Sequence, residues 1–350
     1  MSYSSRLQPQ VSRRQLIRMG LGVSATALCA RMAEGGQSAA FSTIPSWRTE
    51  LRRLAPNVYA YTQASGPGVN NASLSNAGLI VGPEHLLAID TLGPPVHAKA
   101  FRAAATKETG KLFGRVINTH HHRDHTNGNY LYSPLEIVAH EFCRQATIAD
   151  GIPARPYADR PEWQDGMREL TLAPATTTFA GTTTYHYGEL IVQLITNAPA
   201  HTWGDVMVYL PQQRILFAGD IAFSYVTPPA HNGHVTKWIE AIDRVMKMDV
   251  DVIVPGHGPI GSKKELAETR GYLELIAGET RKRHAMGMTP GRAAADIDMG
   301  RFESWTNPER NAWNTVRLYA EFDGTITPAN DANAQAAAVG EYQRLRAVKR

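Results

Sequence analysis

Seven consecutive residues, Thr119-His120-His121-His122-Arg123-Asp124-His125, constrain this chain more than any other feature. They directly follow Arg115-Val116-Ile117-Asn118, which reads as a strand. A loop at a strand end can project several side chains towards one point. The alternation His120-x-His122 lets two imidazoles point the same way, and Asp124-His125 adds a carboxylate and another imidazole one step on. Imidazole and carboxylate are the zinc ligands used where thiolates are absent. A single metal would leave the loop over-supplied with donors, so two adjacent metals are the natural reading.

Three more candidates fall just after apolar runs that read as strands. His201 follows Leu190–Thr196, Asp220 follows Ile215–Ala218, and His257 follows Val252–Val254. Glycines flank Asp220 and His257, permitting tight turns and close backbone approach. A lone histidine or a lone Gly-Asp pair is usually structural. Their joint appearance in this order is the signal.

The order of Asp90, His120-x-His122-x-Asp124-His125, His201, Gly219-Asp220 and Gly256-His257-Gly258 resembles the metallo-β-lactamase superfamily over roughly residues 55–262. The resemblance implies an α/β fold, an αββα sandwich with metals at one edge of two sheets. It also implies that His120, His122 and His201 hold one zinc, that Asp124, His125 and His257 hold a second, and that Asp220 bridges them. Asp90 would support the metal loop, and His121 takes no ligand role. His122 stands where flavodiiron relatives carry Glu, which favours zinc hydrolysis over redox chemistry. Asp220 stands where true β-lactamases carry Cys or Ser, which puts β-lactam cleavage in doubt as the native role.

Two zinc ions about 3.5–4 Å apart share a water, lower its pKa and polarise the substrate oxygen. The implied chemistry is attack by the bridging hydroxide on a small ester, lactone, thioester or amide, with Asp124 orienting it. The alternatives are a β-lactamase-like amidase, an iron-dependent dioxygenase and a non-catalytic periplasmic relay protein. The same ligands accept iron or manganese. Substrate contacts are sought just after Asp220, at Tyr225, His231, His234, Lys237 and Trp238. Lys237 or His234 is the candidate for a substrate carboxylate. His140 reads as a structural hydrogen-bond partner, and Trp203, Trp305 and Trp313 as core or interface residues.

Charge divides the chain. Five arginines against one glutamate in residues 1–40 account for the whole formal charge of +4. Residues 41–350 carry 31 basic and 31 acidic side chains, which removes the compositional support for a nucleic-acid partner. Arg13-Arg14 before the apolar stretch Met19–Ala30, with a cleavage site at Ser38-Ala39-Ala40, resembles a twin-arginine export signal. The expectation is therefore a folded protein exported to the periplasm or secreted, with a small-molecule substrate and no stable membrane insertion. The oligomeric state stays open. Of the two cysteines, Cys29 falls in the leader, so Cys143 has no partner for an internal disulfide.

The expected organisation is a signal peptide at 1–40, a catalytic domain at 41–262 and a helical extension at 263–350. Strands are expected at 58–61, 77–81, 85–89, 115–118, 136–138, 190–195, 206–210, 215–218 and 252–254, with a β-rich stretch at 171–187. Helices are expected at 96–108, 237–247, 263–281, 291–305 and 310–321. The extension either caps the site opening or serves as a packing or dimer element.

Overall fold

The computed structural model describes residues 48–64 and 71–348. Residues 1–40, where an export signal is expected, and with them Cys29, lie outside the described residues. In chain order the elements are β1 (Glu50–Ala55), β2 (Val58–Thr62), β3 (Ala77–Val81), β4 (Leu86–Ile89), α1 (Pro95–Thr109), β5 (Phe113–Ile117) and the single turn α2 (Arg123–Thr126). Next come β6 (Glu136–His140), α3 (Glu141–Asp150), β7 (Thr177–Phe179), β8 (Thr183–Tyr187), β9 (Leu190–Thr196), β10 (Val206–Leu210) and β11 (Ile215–Phe223). The chain continues through α4 (Val235–Met246), β12 (Val252–His257), α5 (Lys263–Ala285), α6 (Pro290–Asp296), α7 (Arg310–Phe322) and α8 (Ala332–Val348).

Two sheets result, one in the order β1-β2-β3-β4-β5-β6-β7 and one in the order β12-β11-β10-β9-β8. Side chains alternate across each strand. Ile80, Leu87, Ile117 and Val138 therefore meet Val206, Val208, Phe217 and Val254 between the sheets. Their neighbours Leu79, Leu86, Val116 and Ala139 face the opposite way, onto Phe101 and Ala105 of α1. On the outer face of the second sheet, Leu216 and Ile253 share a core with Trp238 and Ile242 of α4 and Leu273 and Ile276 of α5. The order of layers is helix, sheet, sheet, helix. Burial on both faces explains why the central strands are continuous apolar runs.

Residues beyond 262 join that outer core through Phe302, Trp305 and Leu318. A small satellite cluster of Ala294, Ala295, Ala312, Ala338 and Tyr342 ties α6, α7 and α8 together. Ser262 starts α5 with a capping box: its Oγ accepts from Lys264 N, and Glu265 accepts from Ser262 N at 2.8 Å. No described helix is long and apolar enough to cross a membrane.

Several elements differ from the sequence expectation. β1 is an edge strand whose exposed and half-buried charges hide its extended pattern. Residues 171–176 belong to no strand, and the stretch to 187 holds only β7 and β8. The expected helix at 291–305 stops at Asp296, and a 3-10 turn follows at Gly300–Ser304 after Gly300 takes φ +53°. Helix α3 was not foreseen because it buries only Cys143 and Thr147. Asp220 lies within β11 instead of after it. The strand bends at Gly219, where φ is +52° and the pairing register with β12 shifts.

Candidate metal centre

The parallel strand ends deliver the ligand candidates to one edge of the sandwich. His120 and His122 sit on the loop after β5, Asp124 and His125 on α2, and His201 after β9. Asp220 lies in β11, and His257 closes β12. Their ligating atoms form two groups, His120, His122, His201 and Asp220 in one, and Asp124, His125 and His257 in the other. Within each group the atoms lie within 4.8 Å of one another. Asp220 faces both: Oδ2 is 3.1 Å from His201 Nε2, and Oδ1 is 3.2 Å from His125 Nε2. In the second group, His257 Nε2 is 3.1 Å from Asp124 Oδ2.

Donor atoms this deep normally have partners. His120 Nε2, His125 Nε2 and Asp220 Oδ1 are buried without a hydrogen bond. Converging, unpartnered nitrogen and carboxylate donors fit a divalent first-row metal. Several of the rings are held through the other nitrogen, which fixes tautomer and orientation. His120 Nδ1 lies 3.0 Å from Thr119 Oγ1, His125 Nδ1 lies 2.8 Å from Asp90 Oδ2, and His257 Nδ1 lies 2.7 Å from Asn71 Oδ1. Asn71 is fixed in turn, its N–H donating to Asn307 Oδ1 at 3.0 Å from the segment before α7. Asp90 also accepts from Thr119 N at 2.8 Å and from Thr119 Oγ1 at 2.7 Å. It does so from a positive φ of 60°, a conformation that non-glycine residues seldom adopt.

The field of the site follows from burial and this crowding. Burial and the neighbouring imidazoles push His120 and His122 well below the ordinary histidine pKa, so both are neutral at pH 7, the form that can ligate a metal. Burial acts the same way on His125, but Asp220, Asp124 and Asp90 outweigh it and raise its pKa. For Asp124 and Asp220, burial alone would favour the neutral acid. His125 and His257 together hold both carboxyls far below the usual range, so both remain ionised.

Gly256 is the close-approach position: a Cβ there would overlap the Asp220 carboxylate. Gly256→Ala is expected to shift Asp220 and lower metal affinity by about ten-fold or more, as outer contacts to ligands do. Competition with a chromophoric chelator measures it, and wild-type affinity in this variant would contradict the geometry.

A cavity of about 400 Å³ opens over Asp124, Asp220, His122 and His257. Of the substrate residues expected from sequence, His231 lines it, stacked on His122 with centroids 4.5 Å apart and planes at 13°. Burial and nearby His201 lower the His231 pKa to about 3, so it is neutral. Tyr225, His234 and Lys237 are not among the lining residues, which corrects that expectation. α4 buries Val235, Trp238, Ala241, Ile242 and Val245 inward, which turns Lys237 out to pair with Glu240 at 3.1 Å. His234 faces Glu321 at 3.3 Å, and Tyr225 is 37% exposed on the loop beyond β11. Trp238 is fully buried and donates from Nε1 to the Ile221 carbonyl. Trp305 is a core residue, whereas Trp313 lines the cavity beside His231 at 5.4 Å. His140 caps α3 by accepting from Phe142 N.

Sequence reasoning missed Arg310, Asn232 and Tyr157 in the cavity wall. Asn232 Oδ1 lies 3.1 Å from His122 Nε2, and Tyr157 accepts from Asn127 at 3.1 Å. None has a motif around it. The nearest hint is Asn232 beside His231.

The family model described as "Metallo-beta-lactamase superfamily" matches residues 70–257. Among curated proteins, the chain is 23% identical over 261 residues to a linear primary-alkylsulfatase of Pseudomonas sp. That alignment covers 63% of this chain and 49% of the relative. It is 30% identical over 226 residues to the alpha subunit of a 2,4-dinitroanisole O-demethylase of Nocardioides sp., covering 63% and 61%. It is 24% identical over 229 residues to a type 2 metallo-β-lactamase of Bacillus cereus, covering 64% and 82%. The chain thus spans about half to three fifths of the first two relatives' length. Among solved structures, a stereoselective inverting sec-alkylsulfatase from Pseudomonas sp. superposes with a TM-score of 0.60 at 18% identity, over 81% of this chain and 52% of that one. A metallo-β-lactamase from Pontibacter korlensis gives 0.51 at 21% identity, over 65% and 99%.

Proposed function

Since this chain belongs to the metallo-β-lactamase superfamily, we propose that it is a dinuclear metal-dependent hydrolase of a small ester, lactone, thioester or amide. The observation that carries the reading is Asp220, whose two oxygens face two separate clusters of buried ligand atoms beneath one cavity. His120, His122 and His201 would hold one metal and Asp124, His125 and His257 the other, with Asp220 placed between the two groups. Zinc is the metal expected for this donor set. When bound, the pair supplies activation of water and polarisation of the scissile group.

The chain's own residues do the rest. Asp124 stays ionised at the cavity floor, and it orients the attacking water by accepting a hydrogen bond from it. Asp90, Thr119 and Asn71 keep the ligand rings in register. Pro229, Trp313 and the His231 ring wall the cavity and exclude bulk water. No serine or cysteine nucleophile is needed, and Cys143 is buried with its thiol pushed well above the ordinary range.

The test is a hydrolysis screen of zinc-loaded protein against p-nitrophenyl esters, thioesters, lactones, alkyl sulfates and nitrocefin. Turnover of at least one class is expected, with loss on chelation and recovery on adding zinc. Full activity in metal-free protein would end the proposal. Preferred turnover of nitrocefin would favour the amidase reading, and iron in the native protein would favour the dioxygenase. The exported location is tested separately: a fusion carrying Arg13→Lys and Arg14→Lys is expected to remain in the cytoplasm, while the wild-type leader delivers it across the membrane.

A further inference from the structure

Arg310 opens helix α7 and is only 5% exposed, yet it lines the cavity above the metal centre. A guanidinium carries five N–H donors and keeps its charge in proteins. Among the described residues, its side chain makes one hydrogen bond, from Nη1 to the Thr227 carbonyl at 2.9 Å, and no ion pair. A buried cation without a carboxylate partner is costly, and such groups are normally paired. The other cation of the cavity wall, Arg123, is instead committed to the Asp150 and Gly151 carbonyls. Glu309, Asp124 and Asp220 act on Arg310 through space without pairing to it: Glu309 accepts from Asn307 Nδ2 at 3.2 Å, and the two aspartates belong to the metal clusters. The Trp313 ring, three residues along the same helix, gives the cavity an apolar surface next to this charge.

Resting on the hydrolase reading above, we propose that Arg310 is a specificity-determining residue that binds a carboxylate or sulfate group of a small organic anion, substrate or product, whose carbon skeleton lies against Trp313. An oxyanion in this cavity supplies the direct partner that Arg310 lacks among the described residues, and a planar guanidinium suits either group in a bidentate arrangement. The anion-binding role that sequence proximity gave to Lys237 or His234 falls instead to a residue of the helical extension.

Calorimetric titration of the zinc-loaded protein with hexanoate, hexyl sulfate and neutral hexanol tests this without requiring turnover. Arg310→Gln is expected to weaken whichever anion the wild type binds by at least about ten-fold, and Arg310→Lys by less. Hexanol should bind both variants and the wild type alike. The two anions distinguish a carboxylate site from a sulfate site. The proposal is overturned if neither anion binds the wild type, if Arg310→Gln binds the anion as tightly as wild type, or if hexanol affinity falls in parallel. Thermal unfolding of each variant checks that the fold is kept. A further substitution, Trp313→Ala, should weaken both anion and hexanol. Arginine-dependent anion binding in a protein that hydrolyses nothing in the screen would refute the hydrolase reading while leaving the anion site standing.

Discussion

Asp220→Ala is expected to lower kcat/KM by at least about 1,000-fold and to reduce bound metal from two equivalents to one or fewer. Among the described residues, Asp220 is the one carboxylate whose oxygens approach candidate ligand nitrogens of both clusters, at 3.1 Å to His201 and 3.2 Å to His125. Bound metals contribute several kcal/mol of transition-state stabilisation, and about 4 kcal/mol corresponds to that factor. Asp220→Asn separates charge from shape, because the amide keeps the volume but offers one neutral acceptor. It should retain more metal than the alanine variant and still lose most activity. Metal content by elemental analysis, alongside turnover on the best substrate, decides. Two tightly held metals in Asp220→Ala would rule out the shared-ligand arrangement.

A second large effect is expected away from the metals themselves. Asp90 is 2% exposed and takes two hydrogen bonds from Thr119 while facing His125 Nδ1 at 2.8 Å. Removing one member of a buried charged network costs about 3–5 kcal/mol. Asp90→Ala should therefore show a lower urea midpoint even without metal. The His125 ring also loses the group that fixes its tautomer, so metal affinity should drop by about 10–100-fold. Asp90→Asn is expected to recover part of the stability but not the affinity. An unchanged urea midpoint in Asp90→Ala would show that this network contributes little.

The candidate ligand set, which the structure brings together in two groups, was legible in the sequence for a physical reason. A metal site needs histidine and carboxylate near strand ends, and the apolar runs Ile215–Ala218 and Val252–Val254 lead directly to Gly219-Asp220 and Gly256-His257, even though β11 runs on past Asp220. Burial on both faces made the central strands visible in the same way. The cavity wall was not legible. Arg310 and Trp313 reach it from a helix ninety residues beyond Asp220, and nothing in their local sequence marks them. The opposite error befell Tyr225, His234 and Lys237. They are close to Asp220 along the chain, but the inward face of α4 is taken by Trp238 and its neighbours, which leaves Lys237 in solvent. Nearness in sequence ended where the helix began to pack. β1 and α3 were missed because edge and surface elements need little apolar pattern.

The thread from His257 through Asn71 to Asn307 bears on how freely such a protein can be recombined. The family match stops at residue 257, which invites treating everything after it as an exchangeable accessory. Yet Asn307, well past that point, accepts the backbone N–H of Asn71, the residue whose side chain sets the His257 tautomer. Trimming the chain to its matched segment would keep Asn71 beside His257 but remove the acceptor of the Asn71 backbone N–H. The tail and the candidate metal centre are therefore coupled through the Asn71 backbone, and a chimera would need an acceptor for that N–H at position 307.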